Sequence, residues 1–442
     1  MRLLILFLCL VSFLMGYGQD IDVENDVIEE VVPKILKEKK HKSITISAFT
    51  VKKLPENIEQ YNIITIKDYE RPGSIDLNLF FHSSLEELTI IGFGVLGKAE
   101  SIPAGIKNAK NLKKLTFVGQ KLKYLPAEIG YLSQLETLDI YGNQWLKKLP
   151  KEIGKLKKLK YLRVDSFSLE HIPDEIGELP NLEYLILNPE SQSNKLSSLP
   201  ESVGNLKALK ELDVHSYQLS TVPEGISGLT ALKKMNLEGN FMKLPADFSN
   251  LKNLEDLRIY SNELIDIPKG LENLKNLKKL RLVCGSIEGS TLNIGKLPNL
   301  RSMSIDIRKD EVLKFNDGVS KSLTDLYISG NRLLNIEGLK NFENLTTLGI
   351  TYAALQQVPQ EVFGLKELIR FKISKTQLTS IPKGLGQNTN LKYIVFTDNK
   401  ILGKIPKELL KLPNLKSVSL ARNGEITNVA EILKRASFEI YY

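Results

Sequence analysis

A short pattern, L-x-x-L-x-L, returns along this chain with a regularity that a single globular core would not impose. It stands as Leu85-Leu88-Ile90, Leu112-Leu115-Phe117, Leu135-Leu138-Ile140 and Leu159-Leu162-Val164, and begins again at Leu182, Leu209, Leu232, Leu254, Leu277, Leu300, Leu323, Leu345, Leu368, Leu391 and Leu415. Successive starts lie mostly 22 to 24 residues apart, with two intervals of 27. Weaker copies begin at His41 and Tyr61, giving up to 17 units. A unit this short cannot bury its own apolar row, so neighbours must stack it into one continuous core. A length of 442 residues would otherwise suggest two or three domains, but a stacked array grows without a central core.

The expected fold class is therefore a solenoid of stacked units, each contributing one strand to a parallel sheet. Within Leu135 to Tyr141, alternate residues face opposite sides of a strand. Leu138 and Ile140 turn inward, and Thr137, Asp139 and Tyr141 turn out. Parallel strands about 4.8 Å apart predict an arc of roughly 70–80 Å. An asparagine after the strand, as at Asn143, Asn240, Asn262, Asn331, Asn399 and Asn423, is expected to satisfy backbone groups at the exit.

Each unit carries a second signature, L-P-x-x-I-G-x-L. It reads Leu125-Pro126-Ala127-Glu128-Ile129-Gly130-Tyr131-Leu132, and recurs from Leu149, Ile172 and Leu199. The proline sets φ for a short turn or helix on the convex side. Together these residues resemble the leucine-rich-repeat family, in the style of short bacterial repeats and Ras-suppressor-like repeats. The resemblance covers roughly residues 41–423. It implies an α/β solenoid, a curved horseshoe with a parallel sheet on its concave side and short helices, 3-10 turns or loops on the convex side, and says little about a ligand. Cysteine-flanked caps of animal extracellular relatives are missing, which points to a bacterial origin.

Outside the repeats, residues 1–18 read as a signal peptide. Arg2 precedes an apolar run from Leu3 to Met15, and Gly16-Tyr17-Gly18 supplies small residues before Gln19. The run is shorter than the roughly 20 residues of a membrane span, and Cys9 lacks the setting of a lipoprotein box. The expectation is an exported protein, periplasmic, secreted or at the cell surface. Residues 19–40 are expected as an N-terminal cap and 424–442 as a C-terminal cap, with a helix from Asn428 to Arg435 and a short tail from Phe438 to Tyr442. Of two cysteines, Cys284 alone follows the leader, and it is expected as a buried apolar residue rather than a reactive thiol.

Three regions break the period: Gly92 to Ser101, Asn188 to Lys195, and Cys284 to Lys321, where the Leu-Pro signature disappears. Asn331 to Leu345, through Ile336-Glu337-Gly338-Leu339, reads as more helical. A tolerated loop or a change in curvature is one reading of these regions, and a loop rimming a binding face is the other.

The alternation also assigns outward columns. The central one runs from Thr45, Thr65, Thr89 and Thr116 through Asp139 and Arg163 to Lys372, Val395 and Ser419. In its middle stretch a patch of Tyr141, Tyr161, Arg163, Asp165, Tyr184, Asp213, His215, Glu238, Arg258, Tyr260 and Arg281 is the candidate ligand face, because tyrosine and arginine join contact area to directional hydrogen bonding. A sugar could stack on the tyrosines, or arginines could grip a protein. The competing reading is a polar sheet surface with opposite charges paired across strands.

Catalysis is disfavoured. Four histidines, His41, His82, His171 and His215, fall in separate units without metal-ligand spacing. Asp213 and His215 lie two apart on the same face, with Asp165 expected nearby, but no serine or cysteine nucleophile sits in a strained turn. No phosphate loop or dinucleotide fingerprint is present, so no metal or cofactor is expected. The net charge of +8 invites a nucleic-acid reading, but pairs such as Lys113-Lys114 and Lys157-Lys158 are dispersed along the chain, as on a solvated face. The chain is thus expected to be a monomeric, extracytoplasmic binding module for a protein or glycan, with no nucleic-acid partner and no membrane span. The alternative is a surface adhesion protein acting by multivalent contacts.

Overall fold

The computed structural model describes residues 42–442, apart from 48–56, 68–76, 93–99, 120, 188–194, 246, 266, 268–269, 288–290, 293–296 and 317–320. The leader, the N-terminal cap and most of the two lengthened loops lie outside the described residues.

Strands come once per unit. The first are β1 (Ser43–Ser47), β2 (Ile63–Lys67), β3 (Glu87–Ile91), β4 (Lys114–Val118), β5 (Thr137–Tyr141), β6 (Tyr161–Val164) and β7 (Tyr184–Leu187). Then follow β8 (Glu211–His215), β9 (Lys234–Glu238), β10 (Asp256–Ser261), β11 (Lys279–Cys284), β12 (Thr291–Leu292), β13 (Ser302–Ile307) and β14 (Val312–Phe315). The last are β15 (Asp325–Ser329), β16 (Asn335–Glu337), β17 (Thr347–Thr351), β18 (Arg370–Ser374), β19 (Tyr393–Val395), β20 (Ser417–Ser419) and β21 (Glu439–Tyr441). Among the described residues, 18 of these form one parallel sheet, and β12, β14 and β16 form a second sheet of three.

The register bears out the central outward column in full. Thr45 pairs with Thr65, Asp139 with Arg163, Arg258 with Arg281, and the row continues through Ser304, Tyr327, Gly349 and Lys372 to Ser419. The inward rows, such as Leu115, Leu138, Leu162 and Leu185, are fully buried. No unit contains its own core; each leucine packs on those of the units before and after.

The Leu-Pro signature has a local cause and a local effect. Pro126, Pro150, Pro173 and Pro200 each precede a 3-10 turn, with φ near −70°. Just before these prolines, and before Pro103 and Pro223, single parallel bridges join neighbouring units: Lys148 to His171, Ser198 to Thr221, and Ser101 to Tyr124. Proline donates no N–H and starts the turn, so pairing stops there. In the stretch around 291–337 that proline is absent, and the bridge lengthens into β12, β14 and β16. The helical reading of Asn331 to Leu345 is therefore corrected. Ile336 is a buried strand residue, Gly338 takes a left-handed φ of 84°, and only Leu339–Asn341 forms a 3-10 turn.

The glycine of I-G-x-L is a contact residue. A Cβ on Gly177 would stand 2.3 Å from the Ser202 carbonyl oxygen, and one on Gly204 would stand 2.0 Å from that of Gly225. At these glycines the adjacent 3-10 turns pack too closely for a side chain, whereas Ser227, Phe363 and Leu410 fill the same position in other units.

Two asparagine rows stitch the units. At strand entry, the side chains of Asn181, Asn253, Asn276, Asn299 and Asn344 each donate to a carbonyl of the preceding unit, at 2.7–2.9 Å. At strand exit the expected row is only partly realised. Asn143 donates to Phe117 and Tyr141, Asn399 to Ile373, and Asn423 to Phe396 and Leu420. Asn240, Asn262 and Asn331 are exposed instead.

The C-terminal end differs from expectation in one respect. The capping helix, α1 (Val429–Leu433), is short, and the expected tail is a strand: β21 pairs in parallel with β20, and Phe438 is buried.

Candidate binding site on the concave sheet

The sheet turns every candidate residue except Asp165 outward. Asp165 lies beyond the end of β6, only 3% exposed, and its carboxylate accepts the N–H of Gly142 at 3.1 Å. Its backbone carbonyl accepts the N–H of Asn143. The residue leaves the strand one position early and turns inward, so Asp165 is withdrawn from the concave patch as part of the turn.

Much of the remaining patch is engaged with itself. Arg163 holds both oxygens of Asp139, at 2.7 and 2.8 Å, and its guanidinium sits 4.5 Å from the centre of the Tyr141 ring. Burial pulls the Arg163 pKa down, but the hydrogen bonds and charge of Asp139 outweigh it, and the value rises. Tyr161 and Tyr184 face each other at 6.0 Å, and burial raises the Tyr161 phenol. Asp213 accepts from Asn236 at 2.8 Å. His215 lies 3.5 Å from Glu238 and edge-on to Tyr217. Arg258 bridges both oxygens of Asp256, at 3.1 and 2.9 Å, and those bonds raise its pKa. The pairing of charges across strands was one of the two readings of this surface; it describes β5 with β6 and β8 with β9, while Arg258 pairs within its own strand.

Beyond β10 the sheet opens into a cleft of about 500 Å³. Asp256, Arg258, Lys279, Arg281, Ser302, Ser304, Tyr327, Ser329, Gly349, Thr351 and Lys372 line it. Its hollow has a simple origin. Outward positions that carry long side chains on β10 and β11 carry Ser302 and Ser304 on β13, Ser329 on β15, and Gly349 and Thr351 on β17. Tyr327, 45% exposed, lies over Gly349, where a Cβ would come within 2.8 Å of the ring. Of the sequence candidates only Arg258 and Arg281 border this cleft. Lys279, the serines, Tyr327 and Lys372 were missed. The signal was present in the central column, where Ser304 and Gly349 flank Tyr327 among larger neighbours.

The cleft is cationic. Asp256 is held by Arg258, whereas Lys279, Arg281 and Lys372 form no ion pair among the described residues. Arg281 rests 5.5 Å from the Tyr260 ring centre. Nothing here matches a nucleophile site. Cys284 is buried on the inner side of β11, donates to the Asp306 carbonyl, and burial, with Asp310 and Asp306 nearby, pushes its thiol up to about 12. Among the described residues there is also no cluster of three metal-ligating side chains, and no helix is long and apolar enough to cross a membrane.

Residues 88–215 and 184–334 match the family model described as a leucine-rich repeat region, together more than half of the chain. An adenylate cyclase of Schizosaccharomyces pombe is 28% identical over 128 residues, which is 29% of this chain but 8% of that protein. One from Podospora anserina is 27% identical over 138 residues and 6% of its length. The chain thus spans under a tenth of the curated relatives it matches. Among solved structures, a leucine-rich-repeat protein of Leptospira interrogans aligns over 95% of this chain and all of its own, at 24% identity and a TM-score of 0.57. TLR13 in complex with ssRNA13 aligns over 90% of this chain and 64% of its own, at 18% identity and a TM-score of 0.62. The Arabidopsis receptor kinase HAESA, with the peptide hormone IDA and the co-receptor SERK1, aligns over 90% and 73%, at 23% identity and a TM-score of 0.50. These likenesses concern the fold alone.

Proposed function

The chain belongs to the leucine-rich-repeat family, and on that premise we propose that it is a non-catalytic binding module holding a protein ligand against its concave sheet. The observation that carries this reading is the cleft over β10 to β18, where unpaired cations and hydroxyls face solvent on a rigid parallel sheet. A preformed surface lowers the ordering entropy that a binding event must overcome. HAESA, named with a peptide hormone on a similar fold, supports the same reading. The cyclase likeness supports the repeats and not the cyclase, because it covers 8% of that protein.

A glycan ligand was the sequence's other option, through stacking on tyrosines. Four rings already have a cation over a face: Tyr141 under Arg163, Tyr260 under Arg281, Tyr393 under Arg370 and Tyr352 under Lys375. That occupancy favours protein over sugar. The leader-like residues 1–18 support an extracytoplasmic location, and the multivalent adhesion reading stays with it as the second possibility.

The test is capture from native extract by the chain from Gln19 to Tyr442, with Ser304→Trp as comparison. Tryptophan at this outward position fills the cleft without touching the core. A specific protein retained by the parent and lost by Ser304→Trp is expected; equal retention by both would remove the concave sheet as the ligand surface. N-terminal sequencing of the natural product checks the leader, with Gln19 as the expected first residue.

A further inference from the structure

The charge arrangement around the cleft is unbalanced in a way the sheet does not explain. Arg258 and Arg281 stand directly opposite each other on β10 and β11, and like charges in such positions repel. Asp256 neutralises Arg258. The same register places Lys279 opposite Asp256, so one carboxylate serves two cations, and Arg281 has none. At the other end of the cleft Lys372 also stands without an acid. Just before other strands lysines meet an acid, Lys113 with Glu86, Lys160 with Glu136, and Lys210 with Glu183, whereas in the cleft Lys279, Arg281 and Lys372 meet none among the described residues.

We propose that the cleft recognises an acidic peptide segment, with one carboxylate held by Arg281 and Lys279 and a second by Lys372. This rests on the concave-sheet reading above and adds the chemistry of the ligand to it. From β11 to β18 there are four strand steps, or about 19 Å. An extended chain covers that distance in about six residues. Between the anchors the floor carries Ser302, Ser304, Ser329 and Thr351, with the Tyr327 ring laid over Gly349. Hydroxyls both donate and accept, so they can follow a peptide's alternating N–H and C=O groups. Arginine at one end suits a carboxylate, which it can grip through two parallel bonds. The cleft offers a single exposed ring, Tyr327, since the Tyr260 ring carries Arg281, and one ring is no row of stacking faces for successive bases.

The experiment uses the full chain and a fluorescein-labelled peptide of alternating glutamate and glycine, read by fluorescence anisotropy. A glutamine–glycine peptide, an oligogalacturonate and a short single-stranded RNA serve as competitors. Each charged contact corresponds to about tenfold in affinity. The glutamate peptide is expected to bind at least that much more tightly than the glutamine peptide, and more weakly as salt rises. The double substitution Arg281→Gln with Lys372→Gln should erase the preference, whereas Lys123→Gln, paired with Glu100 away from the sheet, should leave it. Arg281 and Lys372 are both exposed, so the variants keep the core intact.

Equal binding of the two peptides, both blocked by Ser304→Trp, would overturn the acidic preference and leave the concave-sheet reading standing. Acid-selective binding indifferent to Ser304→Trp and to the double variant would overturn both. Tighter binding of the galacturonate or the RNA would overturn the peptide assignment. Absence of peptide binding, with a native ligand still lost on Ser304→Trp, would overturn this inference alone.

Discussion

The strand exits show how one residue decides the local path. After β5, Gly142 takes a left-handed φ of 66° and drops Asn143 inward, where its amide meets two carbonyls. Tyr352, Lys375, Asp398 and Arg422 adopt the same conformation with side chains attached, in a region that costs a non-glycine residue of order 1 kcal/mol. Other exits avoid the left-handed turn. There a small hydroxyl one position earlier does the work: Ser166 donates to Leu146, Ser216 to Leu196, and Ser261 to Phe241, at 2.6–2.8 Å. An asparagine after such a serine, like Asn262, is left outside. Asn143→Ala should therefore cost about 1–3 kcal/mol by stranding buried carbonyls, and Asn262→Ala less than about 0.5 kcal/mol. Urea denaturation of the two variants checks this, and equal losses would mean that the exit type does not control the asparagine's role.

Between elements, the visible device is a row of charges just before each strand. Glu86 meets Lys113, Glu136 meets Lys160, Glu183 meets Lys210, and Glu255 meets Lys278, each across one repeat. The hydrogen bonds from Lys160 and Lys278 lower the pKa of Glu136 and Glu255, and their glutamate partners raise Lys113, Lys160 and Lys210. A depressed acid stabilises the fold above its ordinary value of 4.5, and that contribution is lost as pH falls through the lowered one. A raised lysine stabilises below its ordinary 10.5 and loses that contribution as pH climbs through the folded value. The thermal midpoint should thus hold between about pH 5 and pH 10 and fall on either side. Exposed pairs contribute little each and are screened by salt. Glu136→Gln combined with Glu255→Gln should flatten the acid limb in low salt; an unchanged limb would show the row to be energetically silent.

For the whole molecule the vulnerable places are the ends, because a stacked array has no closing contact. β21 closes the C-terminal end by pairing with β20 and covering it with Phe438. Removing residues 438–442 shifts the sheet edge from the short β21 back to β20 and uncovers the rows ending in Val418 and Leu420, a surface for association with other chains. The truncated protein should melt at a lower temperature and scatter light in a concentration-dependent way. A monomeric product with an unchanged midpoint would show that α1 caps the array without the strand.

How much of this was legible follows from what repeats. The stacking, the inward leucines and the outward column depend on spacing and alternation, which any unit displays and seventeen units confirm. The sequence also carried the convex turns, since each begins at a proline whose φ is set by its own ring. The second sheet, the two kinds of strand exit and the strand at the C-terminus were not legible. Each depends on what the neighbouring unit leaves free: a carbonyl to accept, a gap where proline is missing, an unpaired edge. The cleft belongs to that group. A serine, a tyrosine and a glycine in successive units are unremarkable until the sheet sets them side by side. Whether Arg163 or Arg281 is free for a ligand turns on which acid the register brings across the strand. Periodicity sets where side chains point, and lateral packing decides which of them are already taken.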